Sequence, residues 1–233
     1  MAKNVNGISV ILPVGDPKIY GKYLEECIRS IAPQLAEDDE LVVVCDGFDK
    51  LRLSKYLGDY KDIAKDIGSY DSVVFEVPWR VGCAAAWNIG IGLADNELCL
   101  MMGSDDRLLE GALDAVREAY QKRPDIYGFY NLPCVTSEGE EIGIHNNAAA
   151  VTRSLWDRIG GFPLEASLGA PDALVISIML RHYKEHLHQV SNIPLYWVRE
   201  HAEQDGKKMY DRWLTQTLEI RDKMTREWKD GSS

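Results

Sequence analysis

Short apolar runs alternate with amphipathic segments along the first half of the chain, and their order predicts an α/β sheet. Ile8 to Val14 is a β-branched run closed by Gly15, Asp16 and Pro17, which predicts a buried first strand. Tyr20 to Leu35 then places Tyr20, Tyr23, Leu24, Cys27, Ile28 and Ile31 at helical spacing, with Glu25, Glu26 and Arg29 between them. Glu40 to Cys45 predicts a second strand ended by Asp46-Gly47. Val73 to Val77 predicts a third, which leaves through the turn Pro78 to Gly82. Ala84 to Leu93 reads as a helix of small residues, able to bring its backbone close to a sheet or a ligand. Leu98 to Met102 is a fourth buried strand, and Leu108 to Gln121 an amphipathic helix burying Leu108, Leu109, Leu113, Val116 and Tyr120.

The second half has a different rhythm. Ile126 to Thr136 and Glu141 to His145 predict strands joined at the turn Ser137-Glu138-Gly139, and Ala148 to Thr152 a further strand. Ser154 is a candidate helix N-cap and Gly160-Gly161-Phe162-Pro163 a firm stop. Pro171 to His188 predicts a long helix entered at proline, Val190 to Val198 a strand, and Met209 to Trp228 a terminal helix with charged faces. Internal repeats and interdomain linkers are absent, which predicts a single domain over 1–233.

Composition narrows the function. The chain carries 37 acidic against 26 basic side chains, a formal net charge of -11. That balance repels phosphate backbones and anionic lipid surfaces, so no nucleic-acid partner is expected, and an anionic ligand needs a bound cation or a few placed basic residues. Five widely spaced cysteines with no Cys-x-x-Cys predict free thiols in a reducing compartment. The N-terminal stretch lacks the apolar core of a signal peptide and no run is long enough to span a bilayer, which predicts a soluble, cytoplasmic protein.

Chemistry concentrates where the fourth strand ends, in Leu98-Cys-Leu-Met-Met-Gly-Ser-Asp-Asp106. Ligands of open α/β sheets bind beyond the carboxyl ends of strands, so Asp105 and Asp106 stand where a ligand would be. The competing reading makes one of them the cap of the helix beginning near Leu108. His182 and His186 lie four apart on the long helix but lack a third metal ligand, and Trp156, Phe162 and Trp197 read as core.

The ordered series Ile8-Ser-Val-Ile-Leu-Pro-Val, Leu41-Val-Val-Val-Cys-Asp-Gly, Gly82 to Asn88 to Gly90, Ser104-Asp-Asp and Ile159-Gly-Gly-Phe resembles the family 2 glycosyltransferases of GT-A fold, over roughly the first 200 residues. The resemblance implies a nucleotide-binding half over 1–106, an acceptor-side half over 107–200 and a C-terminal helical segment over 201–233. It implies transfer of a sugar from a nucleotide-diphosphate donor, a UDP-sugar, to an acceptor hydroxyl of a glycan, lipid-linked or protein acceptor. It implies a divalent cofactor, Mn²⁺ or Mg²⁺, held by Asp105 with His201, Asp106 as a second metal ligand or a contact to the donor ribose, and further donor contacts from Asp46, Arg80 and Asn88. It also implies Asp172 as the base of an inverting reaction, with Arg199 near the diphosphate and Trp87 in place of a frequent arginine. Gly103 and Pro171 each stand where the family usually has an acid, the basis for an alternative reading as a non-catalytic binder. A sugar nucleotidyltransferase is the other enzymatic alternative, but Pro13-Val-Gly-Asp-Pro-Lys lacks the basic, glycine-rich loop such enzymes carry after the first strand.

Overall fold

The computed structural model describes residues 7–49, 71–142, 148–162, 179 and 183–202. Strand β1 (Ile8–Val14) is the spine of a seven-stranded sheet, flanked by β2 (Glu40–Asp46) on one side and β4 (Leu98–Met101) on the other. The strand β3 (Asp71–Val77) extends it beyond β2, and all of β4, β1, β2 and β3 run parallel. Chain order therefore reverses direction at β1: β2 and β3 step one way and β4 the other. The crevice between the carboxyl ends of β1 and β4 is the topological switch point, where such sheets bind ligands.

Alternation along β1 explains the layers. Ile8, Val10, Leu12 and Val14 face the core shared with α1 (Pro17–Ile31) and α3 (Ala112–Lys122), whereas Ile11 faces the core beneath α2 (Cys83–Leu93). Helix α2 comes so close to the sheet that a β-carbon on Gly90 would lie 2.3 Å from Ile11 Cγ2. The small residues of this helix serve the sheet.

On the far side of β4 the sheet turns mixed. The strand β9 (Ala149–Thr152) runs antiparallel to both β4 and β6 (Phe129–Asn131), and β10 (Leu187–Gln189) closes the edge parallel to β6. A second, four-stranded sheet in the order β5, β11, β7, β8 comprises Arg107–Leu108, Tyr196–Val198, Cys134–Thr136 and Glu141–Ile142. β5 leaves the main sheet's crevice directly, and the end of β11 returns to it. Two residues 90 or more apart in sequence thereby meet over β4.

Several expectations need correction. The helix expected from Leu108 begins at Ala112, because Arg107 and Leu108 pair with Trp197 and Tyr196 and left-handed Gly111 intervenes. The stretch Ile126 to Thr136 is two strands in two sheets, parted at Leu132-Pro133. Thr152, whose hydroxyl accepts the Leu155 N–H, caps α4 (Arg153–Ile159) in place of Ser154. The helix expected over Pro171 to His188 does not extend to His188: Lys184–His186 is a 3-10 turn and Leu187 to Gln189 a strand. Val190 to Leu195 is not strand; the strand there is confined to Tyr196–Val198. The Ser137 to Gly139 hairpin and the stop at Gly160 are as expected. Of the five free cysteines, Cys83 is exposed and the other four are buried. Asp172 and the helix expected over Met209 to Trp228 lie outside the described residues.

Candidate active site

Asp105 follows β4 and His201 follows β11, and the two side chains meet with His201 Nε2 3.0 Å from Asp105 Oδ2. Only 12% of the Asp105 and 10% of the His201 side chain remain exposed, so both belong to a formed crevice. The His201 ring is framed by Tyr23, with ring centres 5.0 Å apart, and by Tyr20 at 6.2 Å. Both tyrosines come from α1. They are half-buried and line the crevice.

Neither acid caps a helix, since β5 and Gly111 separate them from α3. Asp106 is instead turned inward and 2% exposed. Its Oδ2 accepts the Tyr196 hydroxyl at 2.7 Å and its Oδ1 the Arg199 N–H at 2.9 Å. Burial, and then the charge of Asp105, push its carboxyl well above the usual range, against the pull of those hydrogen bonds. Burial and Asp106 likewise raise the Tyr196 hydroxyl.

Gly103 is what makes room for this turn. A β-carbon there would lie 2.7 Å from Asp106 Oδ2 and 2.9 Å from Asp105 Oδ1. The space above the glycine is thus filled by the two carboxylates that follow it.

Arg199 is a strut. Its Nε donates to the Asp105 carbonyl at 2.8 Å, it pairs with Glu26, and its guanidinium lies over the rings of Tyr23 and Trp197. Arg107 covers Trp197 at 3.9 Å and joins the same Glu26, so Trp197 packs beneath guanidinium groups.

At the end of β2, Asp46 is 6% exposed and accepts the Val81 N–H at 2.6 Å and the Gly82 N–H at 3.0 Å. It clamps the loop between β3 and α2. Gly47, at φ 83°, lets the Arg80 backbone rest on it. The Arg80 guanidinium reaches toward β1: a β-carbon on Gly15 would lie 3.8 Å from its Nη2 and 3.1 Å from the Tyr20 ring. Arg80, Tyr20, His201 and Asp105 therefore follow one another along the crevice.

Asn88 points elsewhere. Its amide donates to the Phe162 carbonyl at 2.8 Å and accepts the Phe162 N–H at 2.9 Å, pinning the Gly160-Gly161-Phe162 turn onto α2. Trp87 is 2% exposed with its ring 5.3 Å from that of Phe162, so it is core and unavailable for stacking on a ligand. The residues not singled out in the sequence, Tyr196 and Glu26, act through others. For Glu26 the visible signal was its place in the i, i+3, i+6 series Tyr20, Tyr23, Glu26 along α1; Tyr196 had none.

The donor set suits a divalent cation. The 3.0 Å separation of Asp105 Oδ2 and His201 Nε2 is that of a direct imidazole–carboxylate hydrogen bond, and the oxygen and nitrogen so paired are donor types that Mn²⁺ accepts. Among the described residues no three His, Cys, Asp or Glu side chains form a metal cluster.

Comparison with known structures places this layout. The Staphylococcus aureus TarS 1-349 structure in complex with UDP-GlcNAc is similar with a TM-score of 0.66 and 16% identity, over 85% of this chain and 60% of that one. The mannosyltransferase PcManGT from Pyrobaculum calidifontis in complex with GDP-Man and Mn2+ gives a TM-score of 0.65 and 18% identity, over 93% of this chain and 64% of that one. The chain thus spans less than two thirds of either structure. Its fold is that of the GT-A transferases. No curated protein matches it in sequence. The pattern of glycosyl transferase family 2 matches residues 9–168, and the chain belongs to that family. Among the described residues no helix is long and apolar enough to cross a membrane.

Proposed function

We propose that this chain transfers a sugar from a nucleotide-diphosphate donor, a UDP-sugar, to an acceptor hydroxyl, with inversion and with Mn²⁺ or Mg²⁺ as cofactor. The observation that carries the reading is the convergence of Asp105 and His201 at the switch point, on the same crevice as Asp46 and Arg80. The donor's base lies toward the loop clamped by Asp46, and Arg80 offers a cation to the diphosphate in a protein of net charge -11. Asp105 and His201 would hold the metal, whose positive charge would offset the charge gathering on the departing diphosphate.

Transfer breaks the bond from the sugar's anomeric carbon to the phosphate oxygen as the acceptor oxygen bonds to the opposite face. The acceptor's proton goes to a base, and Asp172 is the proposed base. Asn88 contributes by holding the turn that leads into the segment carrying Asp172.

The test is to incubate the protein with Mn²⁺ and a panel of nucleotide sugars, with and without acceptors, and to measure nucleoside diphosphate. Slow release from one donor, lost in Asp105→Ala, is expected. Thermal stabilisation by a nucleotide with no release from any donor would establish the non-catalytic binder instead.

A further inference from the structure

The two candidate cation ligands come from segments 96 residues apart, and neither is fixed by its own strand: Asp105 and His201 both lie beyond strand ends. Their meeting depends on what joins the loop after β4 to the end of β11. That junction is a buried chain of hydrogen bonds. The Gly103 N–H donates to the Tyr196 hydroxyl oxygen at 2.9 Å, the same hydroxyl donates to Asp106 Oδ2 at 2.7 Å, and Asp106 Oδ1 accepts the Arg199 N–H at 2.9 Å. Arg199 Nε closes the circuit on the Asp105 carbonyl. Tyr196 is wholly buried and Asp106 nearly so, so water cannot substitute for a lost partner.

We infer that Tyr196 is a positioning residue: its hydroxyl, with Asp106 and the side-chain-free Gly103, locks the β4 loop to the β11 end and so sets Asp105 against His201. In this assignment Asp106 holds the scaffold and is not itself a metal ligand. Gly103 then belongs to the device, because any side chain there would occupy the space into which the Asp106 and Asp105 carboxylates turn. Replacing Gly103 by the acid usual in the family therefore disrupts the crevice. The inference rests on the reading of Asp105 and His201 as cation ligands, so its test must separate the two.

Mn²⁺ binding is followed by electron paramagnetic resonance with UDP or GDP present, in the intact chain and in Tyr196→Phe, Gly103→Ala, Asp106→Asn and Asp105→Asn. Partners behind metal ligands typically cost about 10- to 100-fold in affinity. That loss is expected for Tyr196→Phe and for Gly103→Ala, which reach the junction from opposite sides, so one failing to fold leaves the other to decide. Asp106→Asn sets an amide NH2 against one of two donors, the Tyr196 hydroxyl or the Arg199 N–H, and should lose affinity as Tyr196→Phe does, whereas Asp105→Asn should not bind measurably. The His201 side-chain nitrogen resonances, recorded without metal, give a readout free of the cation: they should move in folded Tyr196→Phe. Unchanged His201 resonances and unchanged Mn²⁺ affinity in that variant would overturn the positioning role. Absence of Mn²⁺ binding in the intact chain would overturn the metal reading alone, leaving the resonances to decide the role of Tyr196.

Discussion

Among the described residues, two carboxylate-imidazole clusters have similar burial. One joins Asp105 to His201; in the other, Asp125 takes His186 Nδ1 at 2.9 Å and His188 Nε2 at 2.8 Å. The side chains are 16% exposed for Asp125, 25% for His186 and 11% for His188, against 12% and 10% for Asp105 and His201. Exposure therefore does not distinguish them. Position does: Asp105 follows a strand of the main sheet, whereas Asp125 precedes β6, which runs in the same direction as β4 through their shared antiparallel neighbour β9. The second cluster consequently lies at the amino end of the sheet, where it ties the edge strand β10 and the turn before it to the start of β6. An aspartate bonded to histidine is a site only where the strands deliver it to the ligand's end.

The contrast can be broken in order of expected effect. Asp105→Ala should lower donor turnover by at least about 100-fold, the scale of losing charge stabilisation at a leaving group, while Asp125→Ala leaves turnover within about twofold. Equal losses in both would erase the distinction. Next, His201→Gln should raise the Mn²⁺ concentration needed for half-maximal turnover by about 10- to 100-fold, and His188→Gln should leave it unchanged. Titrating Mn²⁺ in the assay checks both.

The edge cluster should show itself in stability. Asp125→Ala removes the acceptor for two imidazoles and the Tyr127 N–H, and a denaturant midpoint should report a loss of about 1–3 kcal/mol. Acid should act on the same group. Hydrogen bonds from His188 and His186 hold the Asp125 carboxyl below its ordinary 3.8, outweighing the opposing effect of burial. A carboxyl lowered on folding contributes stability that is present above the unfolded value and lost as pH falls through the folded one. The intact chain should thus lose stability more steeply than Asp125→Asn below about pH 4, and parallel curves would contradict the lowering.

Much of this geography was legible in the chain. The run Leu98 to Met102 ending in Asp105-Asp106 locates the crevice, because a continuous apolar stretch must be buried on both faces and its polar exit must lie at the sheet's end. Asp46-Gly47 marks the neighbouring strand end for the same reason. The inward turn of Asp106 was not legible, since its partner Tyr196 is distant in sequence and reads as one more aromatic in an apolar run. Leu108 was misassigned because a two-residue strand has no period of its own and its apolar side chain fits the helix that follows. Likewise His186 and His188 lost their strand to the helical pattern preceding them, and only pairing with β6 decides it. Tertiary contacts override local pattern most where elements are shortest.

Under the proposed function the crevice at Asp105, and not the cluster at Asp125, receives the metal and the nucleotide. Paramagnetic broadening tests it most directly: Mn²⁺ is titrated into the chain with UDP or GDP while the histidine side-chain resonances are recorded. The account predicts that the His201 signals broaden first and that those of His186 and His188 persist. Early loss of the His186 and His188 signals with His201 intact would contradict it.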